Sequence, residues 1–141
     1  MTTYTKRYCG HCILKRVLLF FALNSLILST PSVYAHIDAK QAITAIIGEA
    51  EGEPFIGKVA VAEAIRNRKT LKGVYGLRSP RVKKASKKVW LEAERAWLES
   101  EKSNLVKGAD HWESIDFKVP GWAKGMIVTA QIGKHTFYKA K

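Results

Sequence analysis

Cysteine is scarce in this chain of 141 residues, and its two copies are Cys9 and Cys12. The Cys-Gly-His-Cys spacing matches a thioredoxin-type redox motif, which should open a helix in a βαβ setting. Here it precedes an apolar run near the N-terminus, in a segment that we expect to be removed. It is not a lipoprotein signal either, because that cysteine would directly follow the cleavage point. Without cysteine, the chain after residue 12 has no disulfide, thiolate metal site or cysteine nucleophile.

An apolar run long enough to cross a membrane is also missing. Val17–Leu28 has 12 residues, whereas a spanning helix needs about 20. Basic residues without acidic ones precede this run, and small residues follow it at Val33–Ala35. This order is typical of a secretory signal peptide, with an uncleaved anchor as the alternative. We therefore predict a signal peptide at 1–35 and one domain at 36–141, without stable membrane insertion after cleavage.

Acidic residues are half as numerous as basic ones, with 12 Asp and Glu against 24 Lys and Arg. Four basic residues belong to the predicted signal peptide, so 20 basic and 12 acidic residues remain, a net charge of +8. A strongly basic domain is typical of proteins that bind a polyanionic partner, such as cell wall, membrane surface or nucleic acid. Export favours the anionic cell wall and argues against nucleic acid.

Several common catalytic fingerprints are absent as well. The sequence contains no HExxH pair, no Gly-x-Ser-x-Gly elbow, no phosphate loop and no dinucleotide-binding fingerprint. A zinc site could be drawn from Glu49, Asp110, His111 and His135, but these residues include no ligand pair at helical spacing. We therefore expect no metal and no cofactor.

Helical periodicity is the strongest positive signal. Apolar residues recur at three- and four-residue spacing over 39–50, after a plausible N-cap at Asp38, and Gly52 and Pro54 should end this helix. A second helix should run from Pro54 to about residue 68. It is apolar on nearly every side, so we expect it to be central.

The rest of the domain carries weaker signals. A loop is predicted at 71–77 and a third helix at about 80–101, with Ser79 as N-cap. An irregular or short extended segment should cover 108–113. A fourth helix is predicted from Pro120 to about residue 131, followed by a short extended tail. The pattern predicts a mainly helical α+β domain with one short β pairing.

Glu49 is the strongest catalytic candidate. It lies on the edge of the first helix's apolar stripe and one turn from the expected helix end, so it should be half-buried near the negative end of the helix dipole. Both effects favour the protonated form of a carboxyl. A proton-bearing carboxyl is what cleavage of a glycosidic bond requires. The alternative is an ordinary helix-end carboxylate that caps a backbone N–H or pairs with an arginine.

Aromatic residues and histidines form the candidate binding set. Their ring faces stack on sugars, and their N–H and O–H groups reach hydroxyls and amides. Trp122 could instead belong to the core, whereas Trp112 follows a glycine-led polar loop and is the better candidate for exposure. Tyr75 could orient an N-acetyl group of a substrate. The candidates are Tyr75, His111, Trp112, Trp122, His135 and Tyr138.

Three blocks of the sequence are similar to a known family. They are GEAEGEPFIGKVAVAEAIRNR at 48–68, GADHW at 108–112 and IGKHTFY at 132–138. In this order they resemble the spore-cortex-lytic type of cell wall hydrolases, small members of the lysozyme-like superfamily. The resemblance implies a lysozyme-like fold and a cell wall hydrolase domain at 36–141. The chain departs from the family pattern after the second helix. At this point it has the segment 74–80 followed by a charged helix.

The resemblance also implies a reaction. The family cleaves peptidoglycan between N-acetylmuramic acid and N-acetylglucosamine, often as a lytic transglycosylase, and its general acid/base maps onto Glu49. Such a mechanism needs one acid/base, whereas a two-carboxylate muramidase needs a second at fixed separation. The candidates for that second group are Glu63, Asp110 and Glu113. We expect an exported monomer that acts on glycan strands in the periplasm or outside the cell, with a non-catalytic wall-binding module as the alternative.

Overall fold

The computed structural model describes residues 37–141. The predicted signal peptide and its Cys-Gly-His-Cys motif lie outside the described residues. Within 37–141, no helix is both long and apolar enough to cross a membrane.

Four helices and three strands make up the described fold, which is mainly helical with a small sheet, as the sequence predicts. The helices are α1 (Ala39–Ala50), α2 (Phe55–Arg68), α3 (Pro80–Lys84) and α4 (Lys87–Glu99). The strands are β1 (His111–Ser114), β2 (Ile127–Ile132) and β3 (His135–Lys139). Two short 3₁₀ turns cover Tyr75–Arg78 and Gly121–Ala123.

The first two helices follow the periodicity of the sequence. Asp38 caps α1 by accepting a hydrogen bond from the backbone N–H of Gln41 at 2.8 Å. Helix α2 is the central element, because every residue from Gly57 to Ile65 is buried. The prediction that this helix is central is confirmed, although its buried residues include Lys58 and Glu63.

Polar side chains join α2 to α4. The Arg66 guanidinium lies over the Trp97 ring, 3.7 Å from its centroid, and donates from Nε to Ser100 Oγ at 2.8 Å. Burial lowers the pKa of Arg66 below its ordinary value, and Glu101 partly offsets this. The arginine thus joins two helices through stacking and hydrogen bonding together.

The single helix predicted over 80–101 is wrong, because it is divided into α3 and α4. Ala85 is extended, with ψ of 127°, and Ser86 starts a new helix by accepting from the N–H of Val89 at 3.4 Å. Ser79 caps α3 as expected, accepting from the N–H of Arg81 at 3.4 Å. A serine inside a helical pattern competes for backbone hydrogen bonds and favours a cap.

The fourth helix predicted after Pro120 is also wrong. Pro120 instead precedes a single 3₁₀ turn, and Gly125 has a φ of +85° that a helix cannot accommodate. Strand β2 follows, in a segment rich in β-branched residues. The domain therefore contains a three-stranded sheet, larger than the single pairing that the sequence indicated.

The sheet has the order β1-β3-β2, with both pairings antiparallel. His111 pairs with Tyr138 and Ser114 with His135. Strands β2 and β3 join through a tight turn at Gly133, which has a φ of +58°. Phe137 on β3 is fully buried and anchors the sheet in the helical core.

Candidate active site

A cleft of about 1270 Å³ lies where the end of α1, the 3₁₀ turn at Tyr75–Arg78 and one end of the sheet meet. Its walls combine carboxylates, arginines and aromatic rings. The lining residues include Gly48, Glu49, Glu53, Tyr75, Gly76, His111, Trp112, Glu113, Trp122, Lys134 and His135. Such a mixture is typical of a binding site for a polar, ring-containing ligand.

Glu49 lies in the last turn of α1 and is partly buried. Its Oε1 accepts a hydrogen bond from the backbone N–H of Gly76 at 2.5 Å. Within residues 37–141 its carboxylate forms no other hydrogen bond or ion pair, so Oε2 is left for a ligand in the cleft. The arginine pairing considered as an alternative is therefore not found, although Glu49 does bond one backbone amide.

Two glycines bring the 3₁₀ turn against α1. A Cβ on Gly48 would lie 2.0 Å from the carbonyl oxygen of Gly76, and a Cβ on Gly76 would lie 2.6 Å from Cγ of Glu49. Both separations are far below van der Waals contact. The glycines therefore permit an approach that places the Gly76 amide directly on the Glu49 carboxylate.

The aromatic candidates differ in their positions. His111, Trp112 and Trp122 line the cleft, and the Trp122 ring lies 5.4 Å from His111 and 5.5 Å from Tyr138. Tyr138 is itself buried and does not line the cleft. Tyr138 contacts Trp122 edge-on from the sheet. The sequence predicted Tyr138 as a ligand contact, whereas the structure places it behind Trp122.

Tyr75 stands at the entrance of the cleft and is 85% exposed. Phe117 lies on the rim as well and is 69% exposed. Large aromatic rings exposed to this degree in a cleft are available for stacking on a ligand. The cleft thus has exposed rings near its entrance and carboxylates deeper inside.

Glu53 is a functional candidate that the sequence reasoning missed. From the sequence it is most simply a cap of α2, but the N-cap residue is Pro54 and no side chain caps this helix. Instead, Glu53 is 8% exposed and its Oε2 accepts from the N–H of Lys134 at 2.9 Å. The partner is 81 residues away, so no local pattern could have indicated this contact.

His135 is the most deeply buried candidate in the cleft. Its Nδ1 has no hydrogen-bond partner and lies 3.9 Å from Oε1 of Glu53. Burial lowers the pKa of His135, although nearby carboxylates, Glu53 first, act in the opposite direction. The ring is therefore neutral at neutral pH.

The three carboxylates considered as second catalytic groups have different environments. Glu63 is buried away from the cleft and accepts from Ser103 Oγ and the N–H groups of Leu105 and Val106 at 2.6, 2.8 and 3.2 Å. Asp110 does not line the cleft and contacts His111 Nδ1 at 2.8 Å. Glu113 does line it. Glu63 is therefore a structural residue that holds the segment before β1.

The residues of the zinc alternative are not brought together. In the part of the chain that the structure describes, no group of three or more His, Cys, Asp or Glu side chains could hold a metal ion. His111 contacts Asp110, whereas His135 faces Glu53.

Comparison with known proteins identifies relatives of this domain. A curated protein named spore cortex-lytic enzyme, from Oceanobacillus iheyensis, is 32% identical over 124 residues, which cover 79% of this chain and 45% of the relative. The chain thus spans about half the length of this relative. No family model matches the chain.

Two solved structures are similar to the fold. The catalytic domain of the Bacillus cereus SleB protein matches with a TM-score of 0.55 and 29% identity, over 77% of this chain and 94% of that one. The catalytic domain of the germination-specific lytic transglycosylase SleB from Bacillus anthracis matches with the same score and identity, over 77% and 99%. The similarity covers nearly the whole of both catalytic domains.

Proposed function

Because the chain belongs to the spore-cortex-lytic type of cell wall hydrolases, we propose that it cleaves peptidoglycan as a lytic transglycosylase with Glu49 as its general acid/base. The observation that carries this proposal is the position of Glu49 in the cleft. One carboxylate oxygen is held by the Gly76 amide, and the other has no partner among residues 37–141. The relatives that match are named as a spore cortex-lytic enzyme and a lytic transglycosylase.

The proposed reaction uses Glu49 twice. As a carboxylic acid, it protonates the glycosidic oxygen between N-acetylmuramic acid and N-acetylglucosamine, and the bond from that oxygen to C1 of the muramic acid breaks. As a carboxylate, it then removes the proton from the 6-hydroxyl of the muramic acid, whose oxygen attacks C1 and closes a 1,6-anhydro ring. Glu49 regains its proton, and no water is consumed.

A two-carboxylate muramidase is the competing mechanism. It requires a second carboxyl group in the same cleft to act on water or on the sugar. Of the carboxylates first considered for this role, Glu63 accepts three hydrogen bonds outside the cleft, and Asp110 does not line it. Glu113 lines the cleft, and its Oε1 accepts from the N–H of Ser114 at 3.0 Å, so it is the one of the three placed to act as a second carboxylate. We prefer the mechanism with a single acid/base because one matching relative is named as a lytic transglycosylase.

The aromatic rings supply the proposed glycan contacts. Trp122 contacts the rings of both His111 and Tyr138, and these contacts favour one orientation of its ring before a ligand arrives. Tyr75 and Trp112 complete the set along the cleft. A ring that is already oriented loses little freedom when a sugar stacks on it.

Basic residues favour the cell wall as the place of action. The basic segment, residues 78–88, carries six exposed Lys and Arg side chains and no acidic residue. Arg81, within it, lines the cleft. A cationic surface beside the cleft attracts the anionic wall. We propose a monomer that is exported, loses residues 1–35 and acts in the periplasm or outside the cell.

Mass spectrometry of muropeptides released from purified peptidoglycan tests the proposal. Wild-type protein should release anhydro-muropeptides, lighter by one water than hydrated products, and Glu49→Gln should release none while still binding the wall. Glu94→Gln is the matched control, because Glu94 is an exposed carboxylate on α4 that does not line the cleft.

Other products would contradict parts of the proposal. Hydrated products with a reducing end would show a hydrolase and require a second carboxylate. Wall binding without any product from wild-type protein would show a binding module instead of an enzyme. Anhydro-products from Glu49→Gln at the wild-type rate would exclude Glu49 as the acid/base.

A further inference from the structure

We propose that Glu53 is a positioning residue that fixes the His135 ring with its Nδ1–H toward the Glu53 carboxylate, leaving Nε2 as a hydrogen-bond acceptor for a glycan hydroxyl or amide N–H. This inference rests on the proposed function for the identity of the ligand. The arrangement of Glu53 and His135 can be tested without it.

The first support is the way in which Glu53 is held. Its Oε2 accepts from the Lys134 N–H, and a Cβ on Gly133 would lie only 1.8 Å from this oxygen. Lys58 Nζ donates to the Glu53 backbone carbonyl at 2.8 Å. A buried carboxylate with both its backbone and its side chain fastened cannot turn freely. Glu53 therefore ties the end of α1 to the turn between β2 and β3.

The second support is the unpartnered nitrogen of His135. Nδ1 is completely buried and forms no hydrogen bond, and the Glu53 Oε1 lies 3.9 Å away. A buried polar atom without a partner is costly, so such atoms are rare and are often part of a site. The carboxylate is the group that a proton on Nδ1 would meet.

The third support is the location of the pair. Glu53 and His135 both line the cleft that contains Glu49. The histidine is 6% exposed, so it belongs to the deep part of that cleft. When one ring nitrogen carries the proton, the other presents a lone pair. Nε2 is therefore the polar atom of this ring that is left for a ligand.

The charges around His135 are consistent with a neutral ring. Four carboxylates raise its pKa, namely Glu53 before α2, Glu49 on α1, Glu113 on β1 and Asp116 after β1, yet burial outweighs them. A neutral imidazole can accept a hydrogen bond, whereas an imidazolium can only donate. Glu53 thus orients the ring without charging it at neutral pH.

Nitrogen-15 NMR of histidine-labelled protein tests this arrangement directly, with His135→Asn to assign the signals. We expect His135 in the wild type to be neutral with its proton on Nδ1. Glu53→Gln removes the charge but keeps an oxygen for the Lys134 N–H, so the fold should persist. It should lower the pKa of His135 further and increase the population protonated on Nε2.

Kinetics separates positioning from catalysis. Glu53→Gln should raise KM by about tenfold, the size expected for one weakened hydrogen bond, and leave kcat within a few-fold. Glu49→Gln should abolish turnover, and the exposed control Glu94→Gln should change neither constant. Loss of turnover in Glu53→Gln as complete as in Glu49→Gln, with an unchanged His135 signal, would make Glu53 catalytic and overturn the proposal.

The NMR result also stands if the enzyme assay fails. A His135 ring protonated on Nε2 in the wild type would overturn the proposal whatever the protein cleaves. A ring protonated on Nδ1 that responds to Glu53→Gln would support the arrangement even if no muropeptide is released. In that case only the proposed function would be wrong. If Glu53→Gln fails to fold, the wild-type tautomer alone decides.

Discussion

Replacing Gly76 by alanine should disable the cleft although every functional side chain keeps its identity. The new Cβ would lie 2.5 Å from the carbonyl oxygen of Ala45, 2.6 Å from Cγ of Glu49 and 2.9 Å from its backbone nitrogen. Two of the three atoms belong to the backbone of α1, so they cannot turn aside. The 3₁₀ turn must therefore withdraw by roughly 1 Å to reach ordinary contact.

Two costs follow from that withdrawal. Overpacking of this kind destabilises a fold by roughly 1–3 kcal/mol. The hydrogen bond from the Gly76 N–H to Glu49 lengthens beyond useful range, which removes the orientation of the carboxylate. A displacement of about 1 Å at a catalytic group can lower the rate by roughly a hundredfold. We expect the activity to fall much more than the stability.

Thermal unfolding and muropeptide release from the same preparation measure the two effects. Gly121→Ala is the matched control, because a Cβ there meets nothing within 4 Å. Gly76→Ala should remain folded at the assay temperature with activity about a hundredfold lower, whereas Gly121→Ala should match the wild type. Wild-type activity in a folded Gly76→Ala variant would refute the idea that close contact between the turn and α1 orients Glu49.

Two further predictions concern stability. Glu63→Ala should lower the free energy of unfolding by roughly 3 kcal/mol, because the partly buried N–H of Leu105 and the buried N–H of Val106 lose their acceptor. An unchanged melting temperature would show that the segment before β1 does not depend on Glu63. His135 should make the fold sensitive to acid. The folded protein has a lowered His135 pKa, so as pH falls below about 6.5 the unfolded chain binds a proton that the folded protein does not bind. The free energy of unfolding therefore decreases with falling pH. His135→Asn should flatten the melting temperature between pH 7 and 5, and an equally steep curve would exclude His135 as the cause.

The elements that the sequence predicted well are those with strong local signals. Helices α1 and α2 have uninterrupted helical periodicity, and Asp38 and Ser79 act as caps in the structure. The position of Glu49 follows from this periodicity, because a residue one turn from a helix end and beside an apolar stripe is half-buried wherever that helix packs.

The errors arose where local signals competed. The apolar residues over 120–131 fit a helix by count, but Gly125 takes a left-handed conformation and β-branched residues follow it, so strand pairing to β3 prevails. At Ser86 a cap interrupts an apolar pattern that continues from α3 into α4. The glycine, the β-branched residues and the serine were all visible in the sequence. A prediction from helical periodicity alone does not take them into account.

The roles of Glu53 and Glu63 could not be predicted from local patterns. Each carboxylate accepts hydrogen bonds from backbone N–H groups more than 40 residues away along the chain. Backbone amides carry no sequence signature, because every residue except proline has one. Only the three-dimensional fold shows that Glu53 belongs to the cleft and Glu63 does not.

The order of the strands has a consequence for the timing of folding during synthesis. Strand β3 is the last strand in the sequence but the middle one in the sheet, and β1 and β2 do not pair with each other. A ribosome must therefore deliver β3 before any of the sheet can form. His135 and the Lys134 amide arrive with that strand. A nascent chain that already contains Glu49 and all four helices still has an incomplete cleft. The shape of the cleft therefore depends on strand β3, which is translated after them.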